Sequence, residues 1–124
     1  MTTDSSRARR VRTPGLTACR LCAGGTLGQA DTLDGGQLAR LRQIEAAGLA
    51  RLTLSDCLDE CERGDVVVAR PRPGQHGVSA RPVWFERLAG DELTCELASW
   101  LAAGGPGGAD VPLTLRALQL RLDV

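Results

Sequence analysis

Residues 51–68 read RLTLSDCLDECERGDVVV, and upstream of them residues 15–25 read GLTACRLCAGG. In the later stretch Leu52 and Leu54 alternate with Arg51, Thr53 and Ser55, the period of a half-buried strand that ends at Asp56-Cys57. Gly64 then lets the chain reverse into Val66-Val67-Val68, an apolar run suited to a buried strand. In the earlier stretch Leu16-Thr17-Ala18 reads as a short strand that delivers Cys19 at its C-terminal end. Two cysteine pairs, Cys19 with Cys22 and Cys57 with Cys61, therefore each follow a strand.

Between the pairs, Asp34 is the expected N-cap of a helix. Leu38, Leu41 and Ile44 recur on one face of it until Gly48. After Val68, Pro71, Pro73, Gly74 and Gly77 mark a loop, and Val83-Trp84-Phe85 is the closing strand of a hairpin. A second helix is predicted over Asp91–Ala103, with Leu93, Leu97, Trp100 and Leu101 on one face and Gly104-Gly105-Pro106 as its stop. The order strand-helix-strand-strand-strand-helix predicts an α/β domain with a mixed sheet and a right-handed first crossover. Trp84 and Trp100, both in apolar segments, are expected in the core.

This domain is assigned to residues 14–105. Residues 1–13 read as a flexible basic arm, and 106–124 as a C-terminal extension. In that extension Leu118, Leu120, Leu122 and Val124 alternate as one further strand would, at the sheet edge or across a dimer interface. Leu115, Leu118 and Leu122 would also share a helical face.

A chain of 124 residues suits one hydrophobic core. Its formal charge is zero and every basic residue is an arginine, so no global positive excess draws it to nucleic acid or to an anionic bilayer. No apolar run approaches the roughly 20 residues that span a membrane, and Arg9-Arg10 is not followed by the apolar stretch of an export signal. A cytoplasmic location is expected. In that reducing compartment, clustered cysteines are metal ligands or redox catalysts more often than disulfides.

Thiolates are soft ligands, so four of them converging favour an iron-sulfur cluster or zinc. Each pair can close on a single metal ion. A 2Fe-2S cluster needs two thiolates on each iron, which Cys19 with Cys22 and Cys57 with Cys61 would supply from neighbouring strand ends. A zinc-bound structural or interaction module is the first alternative, although the long gap between the pairs holds a whole helix and strand. A thioredoxin-like thiol-disulfide oxidoreductase is the second, because Cys19-Arg20-Leu21-Cys22 is a C-x-x-C unit. Against it, Ala23-Gly24-Gly25 keeps the unit away from a helix N-terminus that would acidify the thiol.

Gly24, Gly25 and Gly28 are expected to give backbone amides access to the cluster sulfides. Asp56, Asp59, Glu60, Glu62 and Asp65, set against Arg63 alone, make an acidic loop suited to docking a basic partner. Cys95 falls off the apolar face of its helix, and His76 in Gly74-Gln75-His76-Gly77 reads as a solvated loop histidine. Neither is assigned a role.

From Cys19 to Val68, CRLC, a helix containing QLARLR and then SDCLDECERGDVVV resemble the thioredoxin-like 2Fe-2S ferredoxin family. The resemblance covers most of residues 15–103. Its pattern is a first cysteine, a second at variable spacing, a long gap, and a pair separated by three residues. Cys57 and Cys61 match that last pair, whereas Arg20 and Leu21 are fewer residues than the family usually places between its first two ligands. What it implies is a thioredoxin-like domain with a 2Fe-2S cluster held at one rim by Cys19, Cys22, Cys57 and Cys61. The implied function is a one-electron carrier and not an enzyme, with redox proteins as partners and self-association into a homodimer.

Overall fold

The computed structural model of the chain, which describes residues 13–20, 23–55, 64–73 and 81–120, builds a five-stranded sheet around β1 (Gly15–Cys19). β2 (Arg51–Ser55) lies parallel to β1 on one side, with Leu16 opposite Leu52 and Cys19 opposite Ser55. On the other side β3 (Val67–Arg70) runs antiparallel, followed outward by β4 (Val83–Phe85) and β5 (Gln119–Leu120). The strand order is β2-β1-β3-β4-β5. The fold is α/β, as the alternation of apolar periods predicts, and the hairpin of β3 and β4 forms where it was expected.

Among the described residues three α-helices complete it: α1 (Gly36–Ala46), α2 (Asp91–Ala102) and the short α3 (Leu113–Arg116). Strand side chains alternate between faces, and one face of the sheet, Leu16, Ala18, Val67, Ala69 and Phe85, packs with Leu41 and Ile44 of α1 and Leu97, Trp100 and Leu101 of α2. The Trp100 and Phe85 rings meet edge to face, with centroids 5.8 Å apart at 86°. Thr17, Cys19 and Val68 fall on the opposite face and are buried as well. Trp84, the cross-strand partner of Val68, is only half-buried there, so of the two tryptophans Trp100 is the one in the core.

Both long helices end in the same device. Gly48 and Gly104 carry φ of 78° and 129°, and the amides of Leu49 and Gly105 reach back to the carbonyls of Ile44 and Trp100. These are Schellman caps, which need a glycine in the left-handed region. At the N-terminus of α1 the expectation fails: Gly35, not Asp34, is the cap, and no side chain bonds there. Gly35 and Gly36, with φ of 85° and 61°, turn the chain into the helix, which leaves Asp34 exposed.

The acid that works at this corner is Asp31. Its carboxylate takes a bidentate grip from Arg40 (2.6 and 2.9 Å) and accepts the Leu33 amide. Arg40, with a side chain only 8% exposed, also donates to Asp91 at 2.8 Å and to the Gln37 carbonyl. Fully buried Gln37 accepts the Gly90 amide and donates to Thr94, so a satisfied polar network joins α1 to the start of α2. Consequently the buried face of α1 is Gln37, Arg40, Leu41 and Ile44, with Leu38 at its margin, and that of α2 adds Thr94 to Leu97, Trp100 and Leu101, with partly buried Leu93 packed against the same core as its helical position predicts.

Hydrogen bonding by Arg40, and then by the Leu33 amide, holds the Asp31 carboxyl below its ordinary value of 3.8. A carboxyl with a lowered folded value contributes stability that is complete above its unfolded value and lost as pH falls through the folded one. The Asp31→Asn variant is therefore expected to be less stable than wild type at neutral pH and to lose less on acidification. Urea midpoints measured from neutral pH into the acid range check this; parallel curves for the two proteins would refute it.

Residues 106–120 do not stand apart from the sheet. Pro106 and Leu115 are fully buried, Trp100 Nε1 donates to the Ala109 carbonyl at 2.9 Å, and β5 adds itself to β4. The alternating tail thus forms an edge strand at 119–120, preceded by a helical turn at Leu115. At the opposite edge, the outward amide of Leu52 is taken by the Glu45 carboxylate at 3.0 Å. The arm through residue 12, the turn from Cys57 to Cys61, His76, Leu122 and Val124 lie outside the described residues.

Candidate metal centre at the sheet rim

Cys19 is the last residue of β1 and is buried. Two strands frame it. On one side is Ser55, whose carbonyl accepts the Arg20 amide at 2.9 Å; on the other is Val66, whose carbonyl accepts the Cys19 amide at 3.4 Å. Ser55 and Val66 thus stand on opposite flanks of the C-terminal end of β1, two strand spacings or about 10 Å apart. Beyond it, the Ala23 amide donates to the Cys19 carbonyl at 3.1 Å.

Asp65 ties this turn to the segment that enters β3. One carboxylate oxygen accepts the Gly24 amide at 2.7 Å and the other accepts the Thr26 amide at 2.8 Å. The side chain does this from a residue only 2% exposed whose φ is +43°, a left-handed conformation that aspartate adopts more readily than most residues. Backbone bonds from Arg87 to the Gly64 carbonyl and from Leu88 to the Asp65 carbonyl fix the same segment to the chain after β4.

Two expectations change here. The Gly24 amide, with the Thr26 amide beside it, is directed at a carboxylate of the protein itself and not left open for sulfides. Asp65, read as one charge of an acidic docking loop, is buried with both oxygens engaged. A sequence signal existed for this role: Gly64-Asp65 directly before a strand is a turn pair, and an aspartate in such a turn characteristically accepts backbone amides. The buried Gln37, Arg40 and Asp31 network left no such trace, because polar residues on a helix read as its solvated side.

Of the four proposed ligands, the structure positions Cys19; Cys22, Cys57 and Cys61 lie outside the described residues. Among the described residues no group of three or more His, Cys, Asp or Glu side chains is gathered to hold an ion. The fifth cysteine, Cys95, is exposed on α2, as its helical position predicts. It borders a groove of about 230 Å³ between α1 and α2 whose lining includes Arg40, Ile44, Asp91 and Thr94. No described helix is long and apolar enough to cross a membrane. Comparisons of the chain with protein families, characterised proteins and solved structures give no match.

Proposed function

We propose that the chain is a thioredoxin-like one-electron carrier whose Cys19, Cys22, Cys57 and Cys61 hold a 2Fe-2S cluster. The observation that carries this reading is the framing of the C-terminal end of β1 by Ser55 and Val66. Both cysteine segments start or end at that point. Cys57 follows Ser55 by two residues, a reach of at most about 7 Å, and Cys22 directly precedes Ala23, whose Cα is about 3.8 Å away. The segment that contains Cys61 returns at Gly64-Asp65, which is bonded to the turn after Cys19. The element order strand-helix-strand-strand-strand-helix, traced by β1, α1, β2, β3, β4 and α2, supports the thioredoxin-like assignment.

The donor set suits the group. Four thiolates, one of them buried at a strand end, match soft iron better than calcium or magnesium, and bound there the cluster would take up and release single electrons. The chain's own part is to hold the sulfurs at fixed separation and to limit water around Cys19. With every iron position filled by cysteine, the partners are other redox proteins, and the reaction is transfer of one electron from a reduced donor to an oxidised acceptor. The proposed setting is the cytoplasm, without nucleic acid or membrane as partner.

Protein purified without oxygen is expected to contain two irons and two acid-labile sulfides per chain, the content of one such cluster. It should be coloured and give an electron paramagnetic resonance signal after one-electron reduction. Zinc at one per chain, with no colour, would replace the proposal with a structural zinc module. Iron-free and zinc-free protein with disulfide reductase activity that survives loss of Cys57 and Cys61 would replace it with a thiol oxidoreductase.

A further inference from the structure

Asp65 is held in a manner that a surface turn does not require. Its carboxylate is buried, both oxygens are committed to amides roughly forty positions earlier in the chain, and its backbone sits in the left-handed region. Residues persist in such conformations where surrounding contacts over-determine them. The two amides it accepts, from Gly24 and Thr26, belong to the turn that follows the first cysteine pair, and Asp65 itself follows the second. One side chain therefore links the exits of both cysteine segments.

We infer that Asp65 is a positioning residue that fixes the separation of the two cysteine segments, and thereby how firmly and in what geometry they grip their metal. The inference rests on the proposed 2Fe-2S reading. Charge-assisted bonds of 2.7–2.8 Å are among the stronger hydrogen bonds, and they act as a brace made wholly of protein atoms. It adds to the pairing of β1 with β2 and to the bond from the Cys19 amide to the Val66 carbonyl a tie that reaches past the strand end, into the turn after the first cysteine pair. The space beside Gly64 is tight as well: a Cβ placed there would lie 3.3 Å from Thr26 Oγ1.

Asp65→Asn is the sharpest lesion. Asparagine tolerates the same left-handed backbone, keeps one acceptor for one amide, and turns a donor toward the other. Asp65→Gly removes both acceptors while accepting the positive φ without strain. In wild type, the Gly24 and Thr26 amides should be protected from hydrogen exchange in the metal-free protein. Both variants should keep wild-type circular dichroism, yet lose bound iron in air about ten- to hundredfold faster, the range typical of changes to groups that orient metal ligands. Their electron paramagnetic resonance signal should broaden or shift.

Folded variants with wild-type spectrum and iron lifetime would overturn the inference and leave the cluster intact as a proposal. So would unprotected Gly24 and Thr26 amides in folded wild type, a measurement that needs no variant. Absence of iron and sulfide in wild type would overturn the cluster reading, and the inference with it; because that result is read in wild type alone, the two failures are distinct.

Discussion

Replacing Trp100 with alanine is expected to lower stability by about 3–5 kcal/mol, the range for emptying a buried tryptophan site. Small domains have only about 5–15 kcal/mol in total, so this one substitution would remove a large share of it. The ring fills the space between α2 and the sheet, and three kinds of contact go with it. It is 2% exposed, its edge meets Phe85, and its Nε1 holds the Ala109 carbonyl, which brings residues 105–109 back against α2. Trp100→Phe separates these contributions: it keeps most of the apolar fill and loses the partly buried hydrogen bond, at about 0.5–1.5 kcal/mol. Urea denaturation of the three proteins measures both steps, and a Trp100→Ala cost below that of Trp100→Phe would contradict the packing described.

The second large effect concerns the proposed cluster. Cys19→Ser, or the double change of Cys57 and Cys61 to serine, should abolish stoichiometric binding of iron and sulfide, because a cluster of this type needs all four cysteine ligands. Cys95→Ser is the control. It sits exposed on α2, where a substitution is expected to stay within about 0.5 kcal/mol and to leave iron content unchanged. Full iron and sulfide content in Cys19→Ser would end the proposal, whereas content that falls only in Cys95→Ser would move the metal to the groove between the helices.

Much of the fold could be read from the chain because its strongest periodic segments sit where tertiary context agrees with local preference. β1, β2, β3 and β4 appear within a residue or two of their predicted places, and Gly48 and Gly104 stop the helices through the conformation that only glycine adopts cheaply. The misses share a physical cause. Asp34 resembles an N-cap by residue type, but Gly35 and Gly36 give the turn its shape. Arg40 and Gln37 look like the solvated side of α1, yet each has partners far along the chain that a local pattern does not contain. Thr94 joins the buried side of α2 for the same reason, since its hydroxyl accepts the Gln37 amide.

At the rim the legibility is uneven in another way. That Cys19 ends a strand could be read from Leu16 and Ala18. That Asp65 would reach back to Gly24 and Thr26 could not, because the strand order that brings them together depends on pairing between β1 and β3, which lie far apart in the sequence. Long-range pairing of this kind is decided by which surfaces fit and not by any single segment.

The Glu45 carboxylate over the Leu52 amide carries a consequence for life at high concentration. A bare lateral strand is a template onto which a second molecule can zip, the opening event of fibre growth. Here an arriving backbone would have to evict an anion to bond the Leu52 amide of β2. Edge-to-edge annealing of two backbones is thereby hindered at this position.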